Sequence, residues 1–216
     1  MIVYGRNAVR EAERGRRRVL RIWSQEDVSG EELEQLCGSP DHQGLVAEME
    51  PYPYVSAAEV LVPDDALVVA LDQIQDPQNL GAICRTAEGA GAAGVVLPEH
   101  GSARVTPAVC RASAGAVEHL PVAVVRNLAD FLDEAKRAGA WVYGAEADGD
   151  VTYTEPDYTG RVVLVLGSEG RGLRPRVRSA CDALVRVPLR GRLESLNVSA
   201  TAAVLLYEIV RQRTNP

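Results

Sequence analysis

The sequence predicts an α/β fold built on a mostly parallel sheet. Three observations carry this. From Ala66 onward, short β-rich runs alternate with helical segments. Most of those segments open with a recognisable cap: Asp76-Pro77, Thr106-Pro107 or Asn127. The runs themselves, such as "ALVVAL" and "RVVLVLG", are almost unbroken apolar stretches, as expected of strands covered on both faces.

The first fifty residues read as a small α/β unit. "GRNAVREAERG" predicts a short helix ending at Gly15, and "RVLRIWS" a strand. "SGEELEQLCG" predicts a helix capped by Ser29 and closed by Gly38, followed by the strand "GLVAEM". Residues 51–65, with prolines at 51, 53 and 63, are the best linker candidate. Residues 66–216 then supply the strands "ALVVAL", "GVVL", "LPVAVV", "AWVYGAE", "RVVLVLG" and "ALVRVPL". Near the end, Val198, Ala202, Leu205, Leu206, Ile209 and Val210 recur at helical spacing and define an amphipathic helix.

The bulk numbers fit a soluble globular chain. Of 216 residues, 46% are hydrophobic and 25% charged. No apolar run approaches a membrane span, and the start has no signal-peptide core, so a cytoplasmic location is expected. Cys37, Cys84, Cys110 and Cys181 are scattered, as are the three histidines. That argues against a zinc site or disulfide framework and for buried free thiols. Net charge is −7, but it is unevenly spread. Seven arginines lie between Met1 and Arg21 and seven between Arg171 and Arg192. Clusters of this kind suit either a polyanion contact or a solvated face. Arg16, Arg17 and Arg18 are the foremost candidates for such a polyanion contact.

In parallel α/β folds, ligands bind at loops leaving the carboxyl ends of strands. Three loops qualify: "DQIQDPQNLGAICRT", "GSEGRGLRP" and "VPLRGRLESLN". The glycine loop spells G-x-x-G-x-G, so it matches neither the dinucleotide fingerprint nor a P-loop. In the third loop, Ser195 and Asn197 open the last helix. Each is either an N-cap or part of a ligand site built on free helix N–H groups.

In order and spacing, "DQIQDPQNLGAICRTAEGAG", "VVLVLGSEGRGL" and "VRVPLRGRLESLNVSATAAVLLYE" resemble motifs 1, 2 and 3 of the SpoU (TrmH-like) branch of the SPOUT RNA methyltransferases. "YGRNAVREA" and "HQGLVAEMEPYPYVS" resemble the small substrate-binding domain that precedes this fold in ribosomal RNA ribose methyltransferases. The resemblance implies methyl transfer from S-adenosylmethionine to a ribose 2′-hydroxyl, without a metal. It implies a C-terminal deep trefoil knot, a homodimer, and a target in 23S rRNA guanosine. A tRNA target, or a catalytically silent RNA-binding protein on the same fold, is the alternative. By the same resemblance, Leu166, Gly167, Ser168, Gly170, Val187, Pro188, Leu189 and Leu196 frame the cofactor. Asn79, Arg85, Glu169, Ser195 and Asn197 line the catalytic site. The N-terminal domain departs from the family in being shorter, because "IWSQEDVSGEELEQLCG" joins its first strand and a late helix directly.

Overall fold

The computed structural model describes residues 1–168, 170–193 and 195–214. The N-terminal unit contains strand β1 (Ile2–Tyr4), helix α1 (Arg6–Arg14), β2 (Val19–Ser24), α2 (Gly30–Cys37) and β3 (Leu45–Met49). Its strands form an antiparallel sheet in the order β1-β3-β2. Helix α2 starts where the sequence places it. Ser29 accepts from the Glu32 N–H while Glu32 accepts from the Ser29 N–H, and Gly38 closes the helix in the left-handed region.

The larger unit contains β4 (Leu67–Asp72), α3 (Pro77–Gly89), β5 (Gly94–Pro98), α4 (Pro107–Ala112), β6 (Val122–Val125), α5 (Leu128–Arg137) and β7 (Trp141–Ala145). It continues with β8 (Val151–Thr152), β9 (Val162–Gly167), α6 (Pro175–Ala180), β10 (Ala183–Arg186) and α7 (Val198–Thr214). The sheet runs β6-β5-β4-β9-β7-β10-β8, and every pairing in it is parallel. The caps named from sequence are present: Asp76 accepts from Gln78 N, Thr106 from Val109 N and Asn127 from Ala129 N. Residues of α3, α4 and α7 pack on one sheet face, and those of α5 and α6 on the other. Among the described residues, no helix is long and apolar enough to cross a membrane.

Residues 51–65, expected as the linker, are not a loose tether. Tyr52 is buried, and its hydroxyl donates to Val117 O and Leu120 O, each at 2.9 Å. Val55 N donates to Val122 O at 3.0 Å, and Val60 is buried against Gly94. The segment packs down as a strap that includes a short 3-10 helix at Glu59–Leu61. One apolar cluster joins Val3, Val9, Ala47 and Met49 of the N-terminal unit to Leu80, Val109 and Val117 of the larger one.

Arg17 corrects the RNA-contact expectation. Its side chain is only 2% exposed and faces Glu118, itself 0% exposed. Nε donates to Glu118 Oε2 at 2.9 Å, Nη2 donates to Oε1, and Nη1 donates to Glu50 O at 3.2 Å. The guanidinium also lies 5.4 Å from the Tyr52 ring centroid. A guanidinium with its donors committed inside the protein cannot reach a phosphate. Arg16 and Arg18 remain exposed, although Arg16 Nη2 donates to Leu120 O at 3.0 Å.

Among the described residues, three of the seven arginines in the C-terminal cluster are ion-paired: Arg174 with Asp72, Arg176 with Asp130 and Arg178 with Asp148. The thiols divide. Cys84 and Cys110 are buried, whereas Cys37 and Cys181 are half-buried, contrary to the expectation for all four. Burial pushes the thiols of Cys84, Cys110 and Cys181 up to about 12, so they stay protonated and unreactive at neutral pH.

Candidate active site

A cavity of about 1160 Å³ opens at the carboxyl ends of β7, β9 and β10. Leu166, Gly167, Ser168, Gly170, Val187, Pro188, Leu189 and Leu196 all line it, as do Ser195 and Asn197. Two of the three candidate loops, "GSEGRGLRP" and "VPLRGRLESLN", therefore converge on one space, where strand ends in a parallel sheet place ligand sites.

The glycine spacing has a local cause. A Cβ on Gly167 would sit 2.3 Å from the carbonyl carbon of Gly172 and 2.6 Å from Leu173 N. The chain doubles back onto the end of β9, and Gly172 N donates to Ser168 O at 2.9 Å. Gly170 and Gly172 turn it with φ of 75° and 64°.

A smaller cavity of about 190 Å³ adjoins the first, sharing Ser168 and Val198 as walls. Its other walls are Gln73, Ile74, Gln75, Asp76 and Asn79, all from the β4–α3 loop and the start of α3. Gln73 holds a left-handed φ of 62°, unusual for a residue with a side chain.

Asn197 joins the two cavities. Its Oδ1 accepts from Ser199 N at 2.9 Å, which caps α7. Its Nδ2 donates to Asn79 Oδ1 at 3.0 Å, across to α3. The two alternatives posed for Asn197, cap or site residue, are thus compatible in one side chain. Ser195 is exposed at the rim of the larger cavity.

Arg85 lies on the exposed side of α3 and lines neither cavity. Its side chain makes no hydrogen bond or ion pair among the described residues. Glu169 lies outside the described residues.

The sequence reading missed the charged wall. Glu146, Asp148 and Arg178 line the larger cavity, with Arg178 gripping Asp148 through bonds of 3.1 and 3.2 Å. That hydrogen bond to Arg178 holds the Asp148 carboxyl below its ordinary range. The available signal was position, since Glu146 ends "AWVYGAE" at the carboxyl end of a strand. Among the described residues, no group of three His, Cys, Asp or Glu side chains could hold a metal ion.

Comparison with known proteins bears on this arrangement. The profile of the SpoU rRNA Methylase family matches residues 66–207. The chain is 35% identical, over 99% of its length and 96% of the relative's, to a Staphylococcus haemolyticus protein assigned to the TrmH family of tRNA/rRNA methyltransferases. It is 41% identical, over 80% of its length and 71% of the relative's, to the 23S rRNA (guanosine-2'-O-)-methyltransferase RlmB of Pseudomonas syringae. It spans 61% of the length of a longer, 45% identical tRNA/rRNA methyltransferase of Mycobacterium, a match that covers 87% of this chain. Among solved structures, the SpoU methyltransferase AviRb of Streptomyces viridochromogenes, in complex with AdoMet, superposes with a TM-score of 0.84. The two are 27% identical, over 100% of this chain and 91% of AviRb.

Proposed function

Because the chain belongs to the SpoU rRNA Methylase family, we propose that it transfers a methyl group from S-adenosylmethionine to a ribose 2′-hydroxyl of RNA. The observation that carries this reading is the convergence of Leu166–Ser168, Gly170–Gly172, Val187–Leu189 and Ser195–Asn197 on one cavity, next to the amide-lined cavity of Asn79. The residues present fit the cofactor. Main-chain groups beside glycines allow close approach, and Leu166, Val187 and Leu196 offer apolar contact to an adenine.

When bound, the cofactor supplies a methyl group already activated on a sulfonium, so the leaving group needs no acid. The protein's task is to place a weak nucleophile, the ribose hydroxyl. The Asn79–Asn197 pair spans the boundary between the two cavities and orients groups that meet there. Arg85 grips an RNA phosphate with its planar fork, and a phosphate oxygen or water takes the proton. A guanidinium is in general a poor base, so this role does not ask one to take the proton.

The finer reading is a guanosine in 23S rRNA, which the likeness to RlmB supports. It includes residues 1–50 as the RNA-docking unit, with Arg16 and Arg18 as its phosphate contacts, and a trefoil knot around the cavity. It also includes a homodimer, for which sedimentation at micromolar concentration should give twice the chain mass.

Incubation with radiolabelled cofactor and ribosomal RNA tests the activity. Label in a 2′-O-methylguanosine of 23S rRNA is expected. Label confined to tRNA overturns the target, and absence of transfer to any RNA overturns the activity. RNA affinity should fall steeply with salt, since phosphate contacts release counterions. Changing Arg16 and Arg18 together to Gln should weaken RNA binding and flatten the salt slope by about 2. An unchanged slope in a filter-binding titration would assign those side chains to solvent.

A further inference from the structure

The glycine loop is held by two carboxylates from the strands on either side of it. In the sheet, Asp72 of β4 pairs in register with Gly167 of β9. On the other side of β9, Ala145 pairs with Leu166, so Glu146 follows opposite Gly167. Asp72, Gly167 and Glu146 therefore stand in one row across three neighbouring strands. The returning peptide of Gly172 and Leu173 lies directly on Gly167. Its next two N–H groups are then taken by the flanking carboxylates. Leu173 N donates to Glu146 Oε1 at 2.7 Å, and Arg174 N donates to Asp72 Oδ2 at 2.8 Å. Asp72 is fully buried, and its Oδ1 also accepts from Arg174 Nε at 2.7 Å.

Glycine is required at two points of this arrangement. A Cβ at Gly167 would strike the Gly172 backbone, and one at Gly172 would lie 2.6 Å from Glu146 Oε2. Helix α6 begins at Pro175, so Leu173 and Arg174 lie before its first turn and have no helical acceptor. The carboxylates satisfy amides that would otherwise be left to solvent or unpaired. Charge-assisted bonds of this kind are short and strong.

We propose that Asp72 and Glu146 form a two-sided carboxylate clamp on the 173–174 amides, and that Glu146 is a positioning residue for ligand binding in the larger cavity. It acts by fixing the Gly172–Arg174 return against Gly167 in its ligand-ready form. The ligand in question rests on the S-adenosylmethionine reading above. Pre-ordering the loop removes an ordering cost that would otherwise be charged against affinity.

The test uses the full chain and two variants, Glu146→Ala and Glu146→Gln. Glutamine keeps an acceptor oxygen for Leu173 N but drops the charge. Hydrogen exchange of the 167–174 segment, measured without ligand, should speed up at least tenfold in Glu146→Ala and stay near wild type in Glu146→Gln. Dissociation constants for S-adenosylhomocysteine from calorimetry should follow the same order, at least tenfold weaker for Ala and within threefold for Gln. Unchanged exchange in Glu146→Ala overturns the clamp whether or not any ligand binds. Restored exchange but lost affinity in Glu146→Gln overturns the positioning role, because the charge would then be acting on the ligand itself. Failure of the wild-type chain to bind S-adenosylhomocysteine defeats the cofactor reading, and the exchange result still decides the clamp.

Discussion

Arg17→Ala should destabilise the protein by about 3–5 kcal/mol, although the residue lies far from both cavities in sequence. The expectation follows from what the substitution leaves behind. Glu118 is fully buried, and its charge is balanced by the Arg17 guanidinium. Removing one member of a buried pair strands the other, and such losses fall in the range of ~3–5 kcal/mol. For a chain of this size the melting temperature should drop by on the order of 10 °C. The double variant Arg17→Met with Glu118→Leu separates charge from packing. An apolar pair of similar volume carries no stranded charge, so it should recover most of the loss. Urea unfolding of the three variants provides the check. A loss below about 1 kcal/mol in Arg17→Ala would be a surface-pair value and would contradict the buried lock between the two units.

Arg85→Ala should have the opposite profile: no change in stability or cofactor affinity, and a fall in turnover of about a hundredfold or more. Arg85 is exposed on α3, and alanine is a good helix former, so the fold should not register the change. Arg85→Lys is the sharper variant. Lysine keeps the charge but loses the planar fork, so a phosphate-gripping role predicts that activity stays low. Single-turnover methylation of the cognate RNA measures both. Wild-type rates in Arg85→Ala would remove Arg85 from the mechanism. Near-full activity in Arg85→Lys would reduce its role to charge alone.

What could be read from the sequence was local. Asp76, Thr106, Asn127 and Ser29 each bond a backbone N–H two or three residues ahead, so the residue type and its near neighbours are enough to find the cap. Apolar runs of five to six residues mark the central strands β4, β9 and β5. Strand β8, with two residues, and β1, with three, are too short for any periodicity to register. Their positions are set by partners, Arg186 and Val185 for β8 and Glu48 to Val46 for β1. The burial of Arg17 escapes the sequence for the same reason. In sequence it is one of three adjacent arginines, and its partner Glu118 is 101 residues away. The site divides along this line too. The residues around the larger cavity carry the motif resemblance. The grip of Glu146 on Leu173 N depends on which strands neighbour β9, and that order is not written in any one segment.

The position of β9 has a consequence for how the chain is made. It inserts between β4 and β7, and Leu164 lies beside Val69 although four strands and three helices intervene in sequence. Until residues 162–167 have left the ribosome, β4 has β5 on one side and nothing on the other. Every residue of β4 is buried in the finished protein. A nascent or prematurely terminated chain therefore carries a naked apolar strand edge at the centre of its future sheet, open to pairing with another copy. Such non-local pairing is slow because a long loop must close before any contact rewards it. The yield of native protein should then depend on how quickly the last quarter of the chain is delivered. Lowering the temperature or the rate of synthesis should change that yield more than any substitution on the surface.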